Sequence, residues 1–208
     1  MYVQQFMNSQ VVTVTPDENI SNAMNLMKNK RINRLPVVSK GKLVGIVTDG
    51  NLRSAHPSAA TTLSKYEMNE LLSKITIKEI AVKNVITTTP DTLLEDAALA
   101  MREYRIGALP VMEEDRLVGI ITQKDIMDAF LDIMGVRSSG RRLVIEVSDK
   151  VGVLNEISSV LTGLDLNIIN LAVYHMPNRK IQIFCRIDGE RVDEAIQMLN
   201  DKGFTVTE

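Results

Sequence analysis

Two pairs of residues repeat a spacing that can do chemistry: Thr48 with Asn51, and Thr122 with Asp125, each a hydroxyl three residues ahead of a hydrogen-bond acceptor. Each pair closes an apolar run, Leu43-Val44-Gly45-Ile46-Val47 or Leu117-Val118-Gly119-Ile120-Ile121, and stands where a helix should begin. There a short polar side chain satisfies a free backbone N–H, worth ~1 kcal/mol. Asp149 and Gly152 form a third candidate. Glycine lets backbone approach closely at a helix N-terminus, whose free N–H groups can hold a carboxylate; the same residues also suit a tight strand-to-helix turn. Catalytic groups are scarce. His56 and His175 are the only imidazoles, and neither has metal-ligand spacing or a nucleophile partner. No glycine-rich dinucleotide turn or phosphate loop is present, and Gly41 and Gly45 flank a strand, where they serve its turn and packing. The single cysteine, Cys185, sits among Ile183, Phe184 and Ile187, which assigns it to a core strand. The expectation is a protein that is not an enzyme.

The elements that carry the first two pairs are copies of each other. Residues 32–52 and 106–126 share nearly the same words, and the offset, 106 − 32 = 74, also superposes Val11-Val12-Thr13-Val14-Thr15-Pro16-Asp17 on Val85-Ile86-Thr87-Thr88-Thr89-Pro90-Asp91. Residues 3–7 have their counterpart at 77–81, so each copy begins before its first obvious strand. In each, an extended segment ending at proline precedes an amphipathic helix, with Ile20, Ala23, Met24 and Met27 matched by Leu94, Ala97, Ala98 and Met101. The methionines there are core filler. Leu35 to Val38 and Leu43 to Thr48 form a hairpin across Ser39-Lys40-Gly41-Lys42, and the second copy repeats it across Glu113-Glu114-Asp115-Arg116. Ile126, Ala129, Phe130 and Ile133 give the last helix of the second copy. Between the copies, residues 56–62 predict a surface loop containing His56, followed by a helix on Tyr66, Met68, Leu71, Leu72 and Ile75. Two copies suit a pair that packs face to face and closes its own core.

Two glycines, two serines and the linker arginines then break the pattern, with Arg137, Arg141 and Arg142 read as solvated charges in preference to a phosphate or partner contact. The domain plan is 1–76, 77–134, a linker at 135–141, and 142–208. From Leu143 the order is strand, helix, strand, strand, helix, strand, the ferredoxin-like βαββαβ plan, which makes the fold class α+β. A formal charge of −2 supplies no global field for nucleic acid or an anionic membrane. No run approaches the roughly 18 apolar residues that span a bilayer, and the first ten residues lack the plan of a signal peptide. A soluble, cytoplasmic protein is expected.

The doubled unit, with its Val-x-Thr-x-Thr-Pro opening, Leu-Pro-Val core and Leu-Val-Gly-Ile-x-Thr-x-x-Asn/Asp close, resembles the CBS domain, which occurs in tandem as a Bateman module. Many relatives bind adenine nucleotides in clefts between the halves. The resemblance implies that Asp125 accepts from ribose, that Thr122 approaches ribose or phosphate, and that Ala108, Leu109 and Pro110 line adenine with Thr87 and Thr88 nearby. It implies a compensating charge from Lys124, and a corresponding first-copy set of Thr13, Arg34, Leu35, Pro36, Thr48 and Asn51. Asparagine at 51 lacks the charge-assisted strength of a carboxylate, so the second set is the better ribose reader. Arg34, in the place of Ala108, either offers phosphate a cation or crowds the base. Residues 142–208, carrying Val147-Ser148-Asp149-Lys150-Val151-Gly152-Val153-Leu154 and Leu166-Asn167-Ile168, resemble an ACT domain, which often binds amino acids where copies pair. That implies amino-acid contacts from Asp149, Val151, Gly152, Val153, Leu154, Asn167 and Ile168. The domain order resembles the acetoin-utilisation protein AcuB family. It implies a homodimeric, non-catalytic sensor of AMP, ADP or ATP, without metal or other cofactor, that acts on a protein partner; the competing reading is a constitutive interaction scaffold with vestigial clefts.

Overall fold

The computed structural model describes residues 1–55, 70, 72 and 74–208, which divide into two compact units, Met1–Ile126 and Met127–Glu208. Of the residues expected between the copies, His56, Tyr66, Met68 and Leu71 lie outside the described ones, whereas Leu72 is helical and buried in the first core.

In the first unit, helix α1 (Ile20–Lys30) starts where Asn19 accepts from the Asn22 N–H and ends at Arg31, which takes a left-handed φ of 54°. It buries Ile20, Ala23 and Met27 against the hairpin β1 (Arg34–Ser39) and β2 (Lys42–Thr48). Short helices α2 (Asp49–Ser54) and α3 (Ile77–Ile80) follow. The second copy repeats the plan with α4 (Leu94–Glu103), β3 (Ala108–Glu113), β4 (Arg116–Thr122) and α5 (Gln123–Ile133). Even the irregularities agree. Arg34 pairs with Thr48 and Ala108 with Thr122, and the register shifts at Val37/Val38 and again at Val111/Met112.

The opening segment of each copy docks on the other. Val3 donates to the Thr92 carbonyl at 2.9 Å, and its counterpart Ile77 donates to Glu18 at 2.8 Å. Asn8 exchanges two backbone bonds with Ile120 of β4, and Val82 does the same with Ile46 of β2. Val3 and Ile77 are each 0% exposed, so the exchange buries a branched side chain in each direction. The two hairpin turns also meet, basic against acidic, with Lys42 Nζ 2.7 Å from Asp115. Both side chains are well exposed there, so this pair contributes little stability.

In the second unit, β5 (Arg141–Ser148), α6 (Val153–Gly163), β6 (Asn167–Met176), β7 (Lys180–Asp188), α7 (Val192–Asp201) and β8 (Thr205–Thr207) realise the expected βαββαβ order. The sheet runs β6-β7-β5-β8 with every neighbour antiparallel. Period-two burial puts Leu143, Ile145, Ile181, Ile183, Cys185 and Ile187 under the helices, where Ile157, Leu161, Ala195 and Leu199 complete the core. The linker arginines are engaged: Arg137 pairs with Asp128 and Asp132, Arg141 with Asp193 and Glu208, and the Arg142 guanidinium lies 5.5 Å from the centroid of the Phe184 ring. Helix α5 departs from the expected apolar face. Of that face Ala129 is buried and Ile126 partly so, but Phe130 and Ile133 stand 53% and 43% exposed, and Met127 beside them 57%. Among the described residues no helix is long and apolar enough to cross a membrane.

Candidate functional site

Both Thr-x-x-Asn/Asp pairs are reciprocal caps. Thr122 donates to Asp125 Oδ2 from its N–H at 2.8 Å and its hydroxyl at 2.7 Å, while the Asp125 N–H returns to Thr122 Oγ1 at 3.3 Å. Thr48 and Asn51 make the same three bonds at 2.9, 2.6 and 3.2 Å. Capping therefore occupies one oxygen of Asp125. Its Oδ1 carries no hydrogen bond from the described residues, and that oxygen is free to accept from a ligand.

A cavity of about 420 Å³ opens beside this cap, wholly within the first unit. Its apolar wall comes from Val11, Val12, Ile32, Pro36 and Ile120, and its polar side from Arg31, Arg34, Thr122, Lys124 and Asp125. Thus Arg34 and Pro36 of the first copy line one cavity with Thr122, Lys124 and Asp125 of the second, as Asn8 pairs with Ile120 of β4 and Arg34 bonds to Gly107 just before β3. The volume lies in the range of small-molecule sites. Of the other residues of interest, Leu35 and Leu109 are 0% exposed in the core, and Pro110, Ala108 and Thr88 are buried. Thr13 and Thr87 are exposed outside this cavity's wall, and Thr48 and Asn51 cap α2.

Arg34 crosses between the copies. Its Nη1 donates to the Gly107 carbonyl, and a Cβ at 107 would stand 2.8 Å from Nη2, so the glycine makes room for the guanidinium. Burial pulls Arg34 below its ordinary pKa, and the negative charge of Asp125 opposes that shift. No carboxylate closes an ion pair with Arg34, Arg31 or Lys124 among the described residues, in contrast with Arg53, which pairs with Asp49. The cleft therefore offers cations that no salt bridge engages, one available carboxylate oxygen and an apolar wall. Arg31, Val11, Val12 and Gly107 escaped the sequence reading. The sequence signal for Gly107 was the compensating change Asn33-Arg34 to Gly107-Ala108, bulk in one copy against space in the other.

In the second unit the amino-acid set is divided. Asp149, Val151, Gly152, Val153 and Leu154 follow the end of β5, where Ser148 pairs with Lys180, whereas Asn167 and Ile168 begin β6 opposite Asp188 and Ile187, at the start of β5. Eight residues of strand separate these ends by roughly 25 Å, so one chain does not bring both groups to one small ligand. At the first end Gly152 takes φ 92° before α6, Val151 is fully exposed, Leu154 is 47% exposed and Val153 is buried. Asp149 lies 3.8 Å from the His175 imidazole. Among the described residues no group of three or more His, Cys, Asp or Glu could hold a metal ion.

The sequence model of the CBS domain matches residues 3–58 and 77–132, two spans offset by the same 74 residues, and that of the ACT domain matches 141–203. Three solved structures share the tandem fold. The CBS pair of protein MJ0100, in complex with 5′-methylthioadenosine and S-adenosyl-L-methionine, is 31% identical with a TM-score of 0.52, covering 62% of this chain and 95% of its own. CBSX2 in complex with AMP is 28% identical with a TM-score of 0.54, over 64% and 97%. A Vibrio cholerae protein named for acetoin utilisation, AcuB, is 26% identical with a TM-score of 0.55, over 68% and 98%. An inosine-5′-monophosphate dehydrogenase of Korarchaeum cryptofilum is 28% identical over 84% of this chain, but the match spans only 34% of that enzyme.

Proposed function

The chain belongs to the CBS-domain family and carries an ACT domain behind its CBS pair; from that premise we propose that it is a non-catalytic regulatory sensor of adenine nucleotides. The observation that carries this reading is the cleft in which Arg34, Arg31 and Lys124, none of them in a salt bridge among the described residues, stand opposite the open oxygen of Asp125. Phosphate suits the cations, ribose hydroxyls suit the carboxylate, and the wall of Val12, Ile32, Pro36 and Ile120 suits a base. The ligands held by CBSX2 and by the MJ0100 pair, all adenosine derivatives, support the same chemistry. Ligand binding acts on the partner by shifting the equilibrium between two arrangements of the CBS pair.

Three further parts belong to this proposal. The uncovered stripe of Met127, Phe130 and Ile133 supports a homodimer. Amino-acid binding at the ACT domain requires that dimer, because only a second copy can bring the Gly152 turn to the start of another β6. The likeness to the Vibrio cholerae AcuB supports a role in cytoplasmic acetoin utilisation. Thermal unfolding with and without AMP, ADP and ATP tests the sensor. A ligand at 100 times its Kd raises stability by about 2.7 kcal/mol. Curves unchanged by all three at millimolar concentration would instead favour the scaffold with vestigial clefts.

A further inference from the structure

The offset of 74 relates the described cleft to a second set of positions, and the two differ in charge. Arg31, Arg34, Lys124 and Asp125 become Arg105, Ala108, Gly50 and Asn51. The first set holds three cations and a carboxylate. The second keeps Arg105 alone, and the nearby Asp49 is already neutralised by Arg53. The hairpin register is the same in both copies, so the related positions differ in their side chains within one strand pairing.

Arg34 is the centre of this asymmetry. Its guanidinium is half-buried, one Nη donates to the neutral Gly107 carbonyl, and no carboxylate pairs with it among the described residues. At this half-buried guanidinium the loss of hydration outweighs the attraction of Asp125, which makes no salt bridge with it, and a phosphate is the ligand group that adds the missing charge with bidentate geometry. Ala108, at the related position, has no side-chain donor at all.

We propose that each chain takes one phosphate-bearing adenine ligand, in the cleft of Arg34 and Asp125, and that Arg34 is the residue that selects phosphorylated ligands over adenosine and its uncharged derivatives. The inference rests on the nucleotide reading above. It assigns the related cleft no phosphate, because an alanine and a glycine stand there in place of two cations.

Titration of the full chain with AMP and with adenosine tests it, using wild type, Arg34→Ala and Arg34→Lys, each checked for an intact melting transition. AMP binds wild type at one per chain and about 10-fold or more tighter than adenosine, the value of a charge-assisted bond pair. Arg34→Ala removes most of that preference while leaving adenosine affinity within about 2-fold, and Arg34→Lys, which keeps charge but loses the planar fork, falls between. Should Arg34→Ala fail to fold, the lysine variant still decides: an AMP-to-adenosine ratio equal to wild type overturns the role of Arg34. Two AMP per chain overturns the asymmetry. Adenosine binding as tightly as AMP to wild type overturns the selectivity but leaves the sensor standing, whereas no binding of either ligand removes the sensor itself.

Discussion

At the scale of single residues, Gly107 shows how a missing side chain places a functional one. The Cβ of alanine would meet the flexible tip of Arg34 at 2.8 Å, so Gly107→Ala should leave unfolding free energy within ~1 kcal/mol and shift the guanidinium. AMP affinity should fall several-fold; an unchanged isotherm would show that the seat on Gly107 is irrelevant to binding. Cys185 follows a different logic. Burial pushes its thiol from 9.0 up to about 11, so it stays neutral and shielded in the folded chain. A thiol reagent at pH 8 should react only upon unfolding, and rapid labelling of the native protein would contradict the buried strand. The thiol's contribution to stability is full below pH 9 and is lost between 9 and about 11, as the unfolded chain ionises first. Cys185 was legible in the sequence from its apolar neighbours. Gly107 was legible only with the two copies set side by side, because its partner is 73 residues away and no local pattern connects them.

At the scale of elements, the two capping pairs make one comparison inside a single chain. Asn51 caps α2 with the same bonds that Asp125 makes at α5, so Asp125→Asn should keep the cap, whereas Asp125→Ala should cost ~1 kcal/mol in denaturant unfolding. Equal losses in both variants would mean that charge, not capping, holds that helix start. The exchanged opening segments give a second test. Val3 is fully buried, and Val3→Ala should cost ~1.5 to 2 kcal/mol although it lies at the very start of the described chain. A negligible loss would show that the segment's docking is incidental. The helices, hairpins and βαββαβ order were readable because apolar periodicity is local. The exchange was not, since periodicity says that a segment is buried but not which copy buries it. The cleft shared that fate: Arg34 and Asp125 were legible as candidates, but their meeting depends on how the copies pair.

For the whole molecule, the chain passes from the first compact unit to the second within α5, and the proposed control runs from ligand to partner through a dimer. Sedimentation at micromolar concentration should show a dimer, and Phe130→Glu should split it by placing a charge in the uncovered stripe. A monomer throughout, with and without nucleotide, would contradict that assembly. The central claim is that the cleft of Arg34 and Asp125 binds an adenine nucleotide, and calorimetric titration with AMP, ADP and ATP tests it most directly. Wild type should give a saturable heat with at least one of the three. Asp125→Asn, its cap intact, should bind about 10-fold or more weakly, because a charge-assisted bond to the ribose is lost. No heat with any of the three at millimolar concentration would contradict the account; equal affinity in the variant would take the ribose away from Asp125.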